Sequence, residues 1–304
     1  MSTLFLRFSA RVPAAPRRER LLERLLARAD GCSRVVDWRA HAFAGLAPGA
    51  AMPGLGAVAL RAAAVGVDGA WVYLATPVRH SAGMSSLSLQ AGAVLSLQGP
   101  EAEALARDFN RLFGGGGTRL VAAAAQLYCV FDAPVPADTH DPQEAMERDL
   151  WGYLPGGPAG AHLRGLMSEM EMWLHDHPVN AARTARGAAA ITGLWLWGGG
   201  PLLPALPVLE GWTAGADVFF GAFAATPATP VAGPGSGVVV LDASPGTPQW
   251  QEGATRWLAP AVVELHSHRI ERLELSAGDR LFELGARSRW RLWRHRRPWW
   301  EQLA

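Results

Sequence analysis

The chain has 304 residues, enough for one large domain or two modest ones with a buried core. Hydrophobic residues make up 49% and charged residues 18%, which excludes a disordered chain, and a formal net charge of +1 names no partner. Two cysteines, Cys32 and Cys129, exclude a disulfide framework and a cysteine metal set.

All 28 basic residues are arginine, and alanine, glycine and proline are abundant. A GC-rich genome produces this pattern without selection on chemistry, so arginine clusters carry less weight here than usual. The first twenty residues make a poor secretory signal, because their apolar stretch is short and broken by Arg7 and Arg11. Pro16–Asp30 reads as an amphipathic helix with Leu21, Leu22, Leu25 and Leu26 on one face. Residues 37–56 give no clear pattern, and Leu55–Ala64 suits a short helix. Ala70–Thr76, Ser85–Leu89 and Ala93–Leu97 read as strands. Pro100–Phe113 reads as a helix, opened by proline and acids and stopped by Gly114. Arg119–Ala123 and Gln126–Asp132 suit a hairpin. Together, residues 70–132 predict an α+β (ferredoxin-like) subdomain.

Ala133–Pro142 reads as a linker and His162–Asp176 as a helix. Pro178 opens a further short helix that ends near Gly187. Ile191–Trp197 and Gly237–Asp242 are apolar strands of the kind covered on both faces. The uncharged stretches Gly187–Leu209 and Val218–Leu241 have the length of membrane spans, but their glycines and prolines favour buried strands with loops. Gln249–His266 reads as a helix, Ile270–Leu275 with Arg280–Leu284 as a hairpin, and the chain closes on a basic, tryptophan-rich stretch. The fold class expected is α/β, a mixed or mostly parallel sheet covered by helices. The expected parts are residues 1–69 (helical), 70–132 (α+β) and 133–304 (α/β with the basic tail).

The run His175–Gly187, HDHPVNAARTARG, carries the most chemistry. With Pro178 as the first helical residue, Asn180, Arg183 and Arg186 follow at spacings of three, and His177 lies at the helix mouth, where free N–H groups favour an anion. Two guanidiniums there suit a phosphate or carboxylate, and Gly198, Gly199 and Gly200 would admit backbone to the ligand. The competing reading is a helix joint, with Asn180 bonding local backbone and the arginines paired to Asp176 or Glu171. His175 and His177 point to different faces of a helix and make a poor metal pair. Arg79 and His80 form a secondary anion candidate after the first strand of the α+β region. Gly114–Gly117 follows a helix and lacks P-loop partners, so it reads as a helix stop. The tail Arg287–Trp300 could meet nucleic acid or an anionic membrane surface, but tryptophans packed on the body with arginines outward is the preferred reading.

HPVNAARTARG at His177–Gly187 resembles the HPVN-x-x-R-x-x-G element of archaeal-type cofactor-independent phosphoglycerate mutases, and the order of elements in residues 70–132 is similar to that family's inserted α+β domain. LHDHPVNAARTARG followed by GLWLWGGG, with WLAPAVVELHSHRIERLEL at Trp257–Leu275, resembles a bacterial group of uncharacterised proteins variously labelled phosphoglycerate-mutase-like or regulatory proteins of the pathogenicity-factor type. The mutase resemblance implies an alkaline-phosphatase-like core with two divalent metals and a serine nucleophile. That family opens on an Asp-Gly metal motif and carries late Asp/His ligands; this sequence shows neither, and Asp37, His41, Asp242, His266 and His268 are scattered. The expectation is therefore a cytoplasmic phosphoglycerate-mutase-like protein without mutase activity and without cofactor or metal. It would bind a small phosphorylated or carboxylate metabolite at His175, His177, Asn180, Arg183, Arg186 and Gly198–Gly200, or act as a regulatory protein. Neither a nucleic acid nor a membrane is expected as a partner. The alternatives are an active metal-dependent mutase or phosphatase, and a regulator that binds a partner through its tail.

Overall fold

The computed structural model describes residues 2–82, 87–146, 148–223 and 235–303. In chain order the elements are β1 (Thr3–Phe8), α1 (Arg20–Arg28), β2 (Gly31–Arg34), α2 (Trp38–Leu46), α3 (Leu55–Ala62), β3 (Trp71–Ala82), β4 (Leu87–Val94), α4 (Gly99–Phe113), β5 (Thr118–Ala123), β6 (Gln126–Phe131), α5 (Gly160–His175), α6 (Pro178–Ala185), β7 (Gly193–Pro201), β8 (Trp212–Gly215), α7 (Val218–Gly221), β9 (Gly237–Leu241), α8 (Pro248–Gly253), α9 (Ala259–His266), β10 (Arg272–Ala277), β11 (Arg280–Gly285) and α10 (Trp299–Leu303). They form two compact units. The first comprises Met1–Met52 and Pro207–Ala304, the second Pro53–Leu206.

The first unit is built on a mixed sheet in the order β2-β11-β10-β1-β9-β8. Strands β10, β1, β9 and β8 run parallel, and β11 and β2 add antiparallel pairs at one end. The segment that resembled a failed signal peptide is its central strand. Strand alternation sends Leu4, Leu6 and Phe8 into one core with Leu22, Leu25 and Leu26 of α1, Trp250, Trp257 and Leu265 of the α8–α9 region, and Trp299 of α10. Phe5 faces the other side and stacks on Trp38 of α2. Helix α1 is shorter than the apolar spacing suggests. Ala29 leaves the helical region, and the Asp30 amide donates to Glu283 O of β11, which draws the chain into β2. The predicted helix Gln249–His266 is interrupted by a π turn at Ala254–Leu258, just before Pro260, which has no N–H to give to a regular ladder.

The second unit is an antiparallel sheet organised by β3. One edge of β3 pairs with β7 from Trp71 to Val78; the other pairs with β6 over Trp71–Leu74 and with β4 over Val78–Ala82. Strand β5 completes the β5–β6 hairpin. The two strands expected between residues 85 and 97 are one, β4, and residues 83–86 lie outside the described residues. Helices α3 and α5 pack on β7, and α4 packs on β5 and β6. The apolar strands β7 and β9 were expected in one covered sheet, but they belong to different sheets, and only β9 has parallel neighbours. The units also do not follow the boundaries at 69/70 and 132/133. Pairing of β7 with β3 binds residues up to 206 to the α+β region, while β1 and α1 join the C-terminal strands and helices. No helix among the described residues is long and apolar enough to cross a membrane.

Candidate functional site

The HPVN run forms the turn from α5 into α6 and the approach to β7. His177 is the N-cap of α6, its Nδ1 accepting from Val179 N at 3.2 Å, and Pro178 stands in the first turn, where a missing N–H costs nothing. A ring whose Nδ1 accepts carries its proton on Nε2 when neutral. That Nε2 is buried without a hydrogen-bond partner, and Asp108 Oδ2 lies 3.6 Å from it. Burial lowers the His177 pKa, against the pull of Asp108.

Asn180 is buried and fully engaged. Its Nδ2 donates to Leu174 O and Ile191 O at 2.8 Å each, and its Oδ1 accepts from Ile191 N at 2.8 Å. Arg183 is buried too, donating from Nε to Ala189 O at 2.7 Å and from Nη1 to Ser96 O at 3.2 Å and Glu101 Oε2 at 2.9 Å. Arg186 Nη2 donates to Glu101 Oε1. The anion held between the two guanidiniums is thus the chain's own carboxylate. Glu101 also accepts from Gln98 N at 2.8 Å, in a capping box at the start of α4. Burial pushes the Glu101 carboxyl up, but the Gln98 amide and then Arg186 and Arg183 outweigh it and hold it below the ordinary range.

The glycines are not brought to this turn. Gly198 lies seven residues beyond Ile191, roughly 20 Å along at strand rise. A Cβ on Gly199 would meet Tyr73 Cε1 at 2.1 Å, and one on Gly200 would meet Gly54 Cα at 2.6 Å, so these positions serve close packing. Gly198 N donates to Thr139 Oγ1 at 3.2 Å.

His80, in contrast, is brought close. From β3 its backbone N donates to Thr192 Oγ1 at 2.7 Å, and its Nδ1 lies 3.3 Å from Glu171 Oε1 of α5. Burial lowers the imidazole pKa and raises that of the carboxyl, so this contact favours neutral partners over an ion pair. Arg79 is exposed on the same strand. Glu171 and Thr192 line a pocket of about 520 Å³ together with His175, Asp176, His177, Asn180, Ala181 and Thr184. The sequence did not single out Glu101, Asp108 or Thr192, and it offered Glu171 only as a partner for the arginines, which pair with Glu101 instead. Only Glu101 carried a local signal, as the acid in a Gln-x-x-Glu capping pattern before an apolar run.

The residues that could have served a two-metal centre lie in the first unit and do not converge. Asp37 caps α2 by accepting from Ala40 N, His41 Nε2 lies 2.8 Å from Glu274 Oε2, and Asp242 is exposed after β9. His266 and His268 stand at the end of α9. Asp217 caps α7 and pairs with Arg39 at 2.9 Å. Among the described residues no group of three or more His, Cys, Asp or Glu side chains could hold a metal ion, so the residue set does not fit that centre.

No family model and no curated protein matches the chain. Several solved structures are similar, two of them as follows, at low identity. One is a cofactor-independent phosphoglycerate mutase from Thermoplasma acidophilum, at 14% identity over 94% of this chain and 90% of that one, with a TM-score of 0.36. The other is a protein from Pyrococcus horikoshii, at 12% identity over 93% and 87%, with a TM-score of 0.41.

Proposed function

We propose that this protein is phosphoglycerate-mutase-like in sequence pattern but works by binding, taking a small acid-bearing metabolite in the pocket between α5, α6 and the approach to β7. The observation that carries the reading is the engagement of Arg183 and Arg186 with Glu101. Charge that a phosphoryl-transfer site would aim at its substrate is neutralised inside the fold. What lines the pocket is the positive end of α6, the His175 imidazole, two threonines, Asp176, and a Glu171 carboxyl that burial moves towards its protonated, donating form. These groups can recognise an acid group and hydroxyls; they do not supply a nucleophile with an activating base.

The test combines activity with binding. No turnover of 3-phosphoglycerate is expected with or without Mn²⁺. A thermal-shift screen of phosphorylated and carboxylate metabolites should find one that raises the melting temperature. Ala181→Phe fills the pocket from an exposed position and should abolish that shift while leaving the unliganded protein as stable as before. Metal-dependent turnover, or a shift unchanged by Ala181→Phe, would overturn the reading.

A further inference from the structure

The first unit presents a feature that the pocket of the second does not use. After β11 the chain makes a 3-10 turn at Ala286–Trp290 and runs without regular structure to α10. Part of the expected packing is there, since Trp299 is fully buried and its Nε1 donates to Arg17 O at 3.0 Å. The preceding residues are turned outward instead: Trp290 is 64% exposed, Leu292 70% and Trp293 72%. Three large apolar side chains within four residues are costly to leave in water and mark a contact surface.

Their surroundings are strongly basic. No acid occurs between Glu283 and Glu301, a span that holds Arg287, Arg289, Arg291, Arg294, His295, Arg296 and Arg297. Arg291 is committed to Asp30 at 2.7 Å and Arg289 to His266 O. Arg287, Arg294, Arg296 and Arg297 are exposed and have no acidic partner among the described residues. Arg294, His295 and Arg297 also line a cavity of about 690 Å³, with an apolar floor that includes Leu26 and Phe282 and with Asp30, Cys32 and Glu301 on its wall.

We infer that this segment docks the protein on an anionic bilayer surface, with Trp290, Leu292 and Trp293 entering the headgroup–acyl boundary and the free arginines meeting lipid phosphates. Tryptophan favours that boundary because its ring is apolar and its N–H polar, and interspersed arginines add attraction to anionic lipid. The same residues fit other partners less well. Arg289 already covers one face of the Trp290 ring at 4.9 Å, and Leu292 has no π face to stack on a base. A second copy of this chain would bring two such basic patches together.

The test is cosedimentation of the full-length protein with vesicles of phosphatidylcholine alone and of phosphatidylcholine mixed with phosphatidylserine. Binding is expected only to the mixed vesicles, weakening as salt rises. Replacing Trp290, Leu292 and Trp293 together with serine should weaken it at least tenfold with the melting temperature unchanged, because all three are exposed. Arg294→Gln with Arg297→Gln should weaken it in the same direction. Cys32 gives a second readout, because it lies exposed on the cavity wall while Cys129 is buried. Mixed vesicles should slow its alkylation, and inorganic phosphate should not. The inference is overturned by absence of binding to mixed vesicles at low salt, by undiminished binding of the triple-serine protein, by protection of Cys32 with phosphate alone, or by single-stranded RNA that strips the protein from vesicles. Failure here leaves the pocket reading untouched, since none of these variants lies in the second unit.

Discussion

The side chain of Asn180 pairs with the backbone of Ile191 as a neighbouring strand would, accepting from its N–H and donating to its C=O, each at 2.8 Å. The same amide donates to Leu174 O, so one residue of α6 ties the end of α5 to the approach to β7. Replacing it with alanine would leave the Ile191 N–H and C=O without partners, while Leu174 O keeps the His177 N–H at 3.2 Å. At about 1–3 kcal/mol for each unsatisfied group, Asn180→Ala should lower unfolding stability by roughly 2 kcal/mol or more. A urea titration that found less than about 1 kcal/mol would mean that water replaces the amide and that the turn is held by other contacts.

Glu101 and Arg183 form the second tie of the same turn, joining α6 to the start of α4. Removing one member of a buried pair strands the other, so Glu101→Ala, which leaves the buried Arg183 guanidinium without a carboxylate, should cost about 3–5 kcal/mol, and Arg183→Ala, after which Glu101 keeps Arg186 and the Gln98 amide, should cost less. As Glu101 has a folded-state pKa below its ordinary value, its contribution is complete above the ordinary carboxylate range and is lost as pH falls through the depressed value. Wild-type stability should therefore drop more steeply on acidification than that of Glu101→Gln, which has no carboxylate to protonate. Parallel curves in acid would show that the pair does not stabilise the fold.

His41 gives a pH dependence of the opposite sign in the other unit. Its hydrogen bond to Glu274 raises the imidazole pKa, with burial opposing. A raised folded-state value means stability that is fully present below about pH 6.5 and lost as pH rises through the raised value. The stability difference between wild type and His41→Gln should therefore shrink between neutral and mildly alkaline pH. With the imidazole more than a third exposed, screening keeps the effect small. A difference that grows with pH would place the proton elsewhere.

These ties explain which parts of the molecule could be read from sequence. Helix α4, the β5–β6 hairpin and the β10–β11 hairpin follow local rules, namely an acid-opened helix, a glycine stop and short apolar runs around tight turns. Strand β1 was missed because a central strand buried on both faces carries no polar alternation, and Arg7 in its midst reads as a break. In the structure Arg7 Nη1 donates to Ser276 Oγ and Gly278 O, partners some 270 residues away in sequence that no local window holds. The short helix that carries Asn180 and Arg183 was legible from Pro178, with His177 at its mouth; Arg186 stands at its far end as the C-cap. The partners of these residues were not legible, because Glu101 lies 82 residues before Arg183, and a guanidinium paired inside the fold has the same local sequence as one aimed at a ligand.

The last prediction separates packing from ligand access at the glycines of β7. A Cβ at position 199 would overlap the Tyr73 ring, and that ring has little room to retreat: it is fully buried, lies edge-on to Phe131 with centroids 6.0 Å apart, and its hydroxyl donates to Val135 O. Gly199→Ala should therefore destabilise by about 1–3 kcal/mol or prevent folding, as overpacking does in a filled core. Gly115→Ala is the control, because nothing lies within 4 Å of its added Cβ, and it should be neutral or slightly stabilising through the unfolded chain. Thermal melts of the two variants decide the point. If Gly199→Ala melts with wild type yet loses binding of the metabolite found by the screen, the glycines belong to the ligand after all; loss of stability assigns them to the contact with β3.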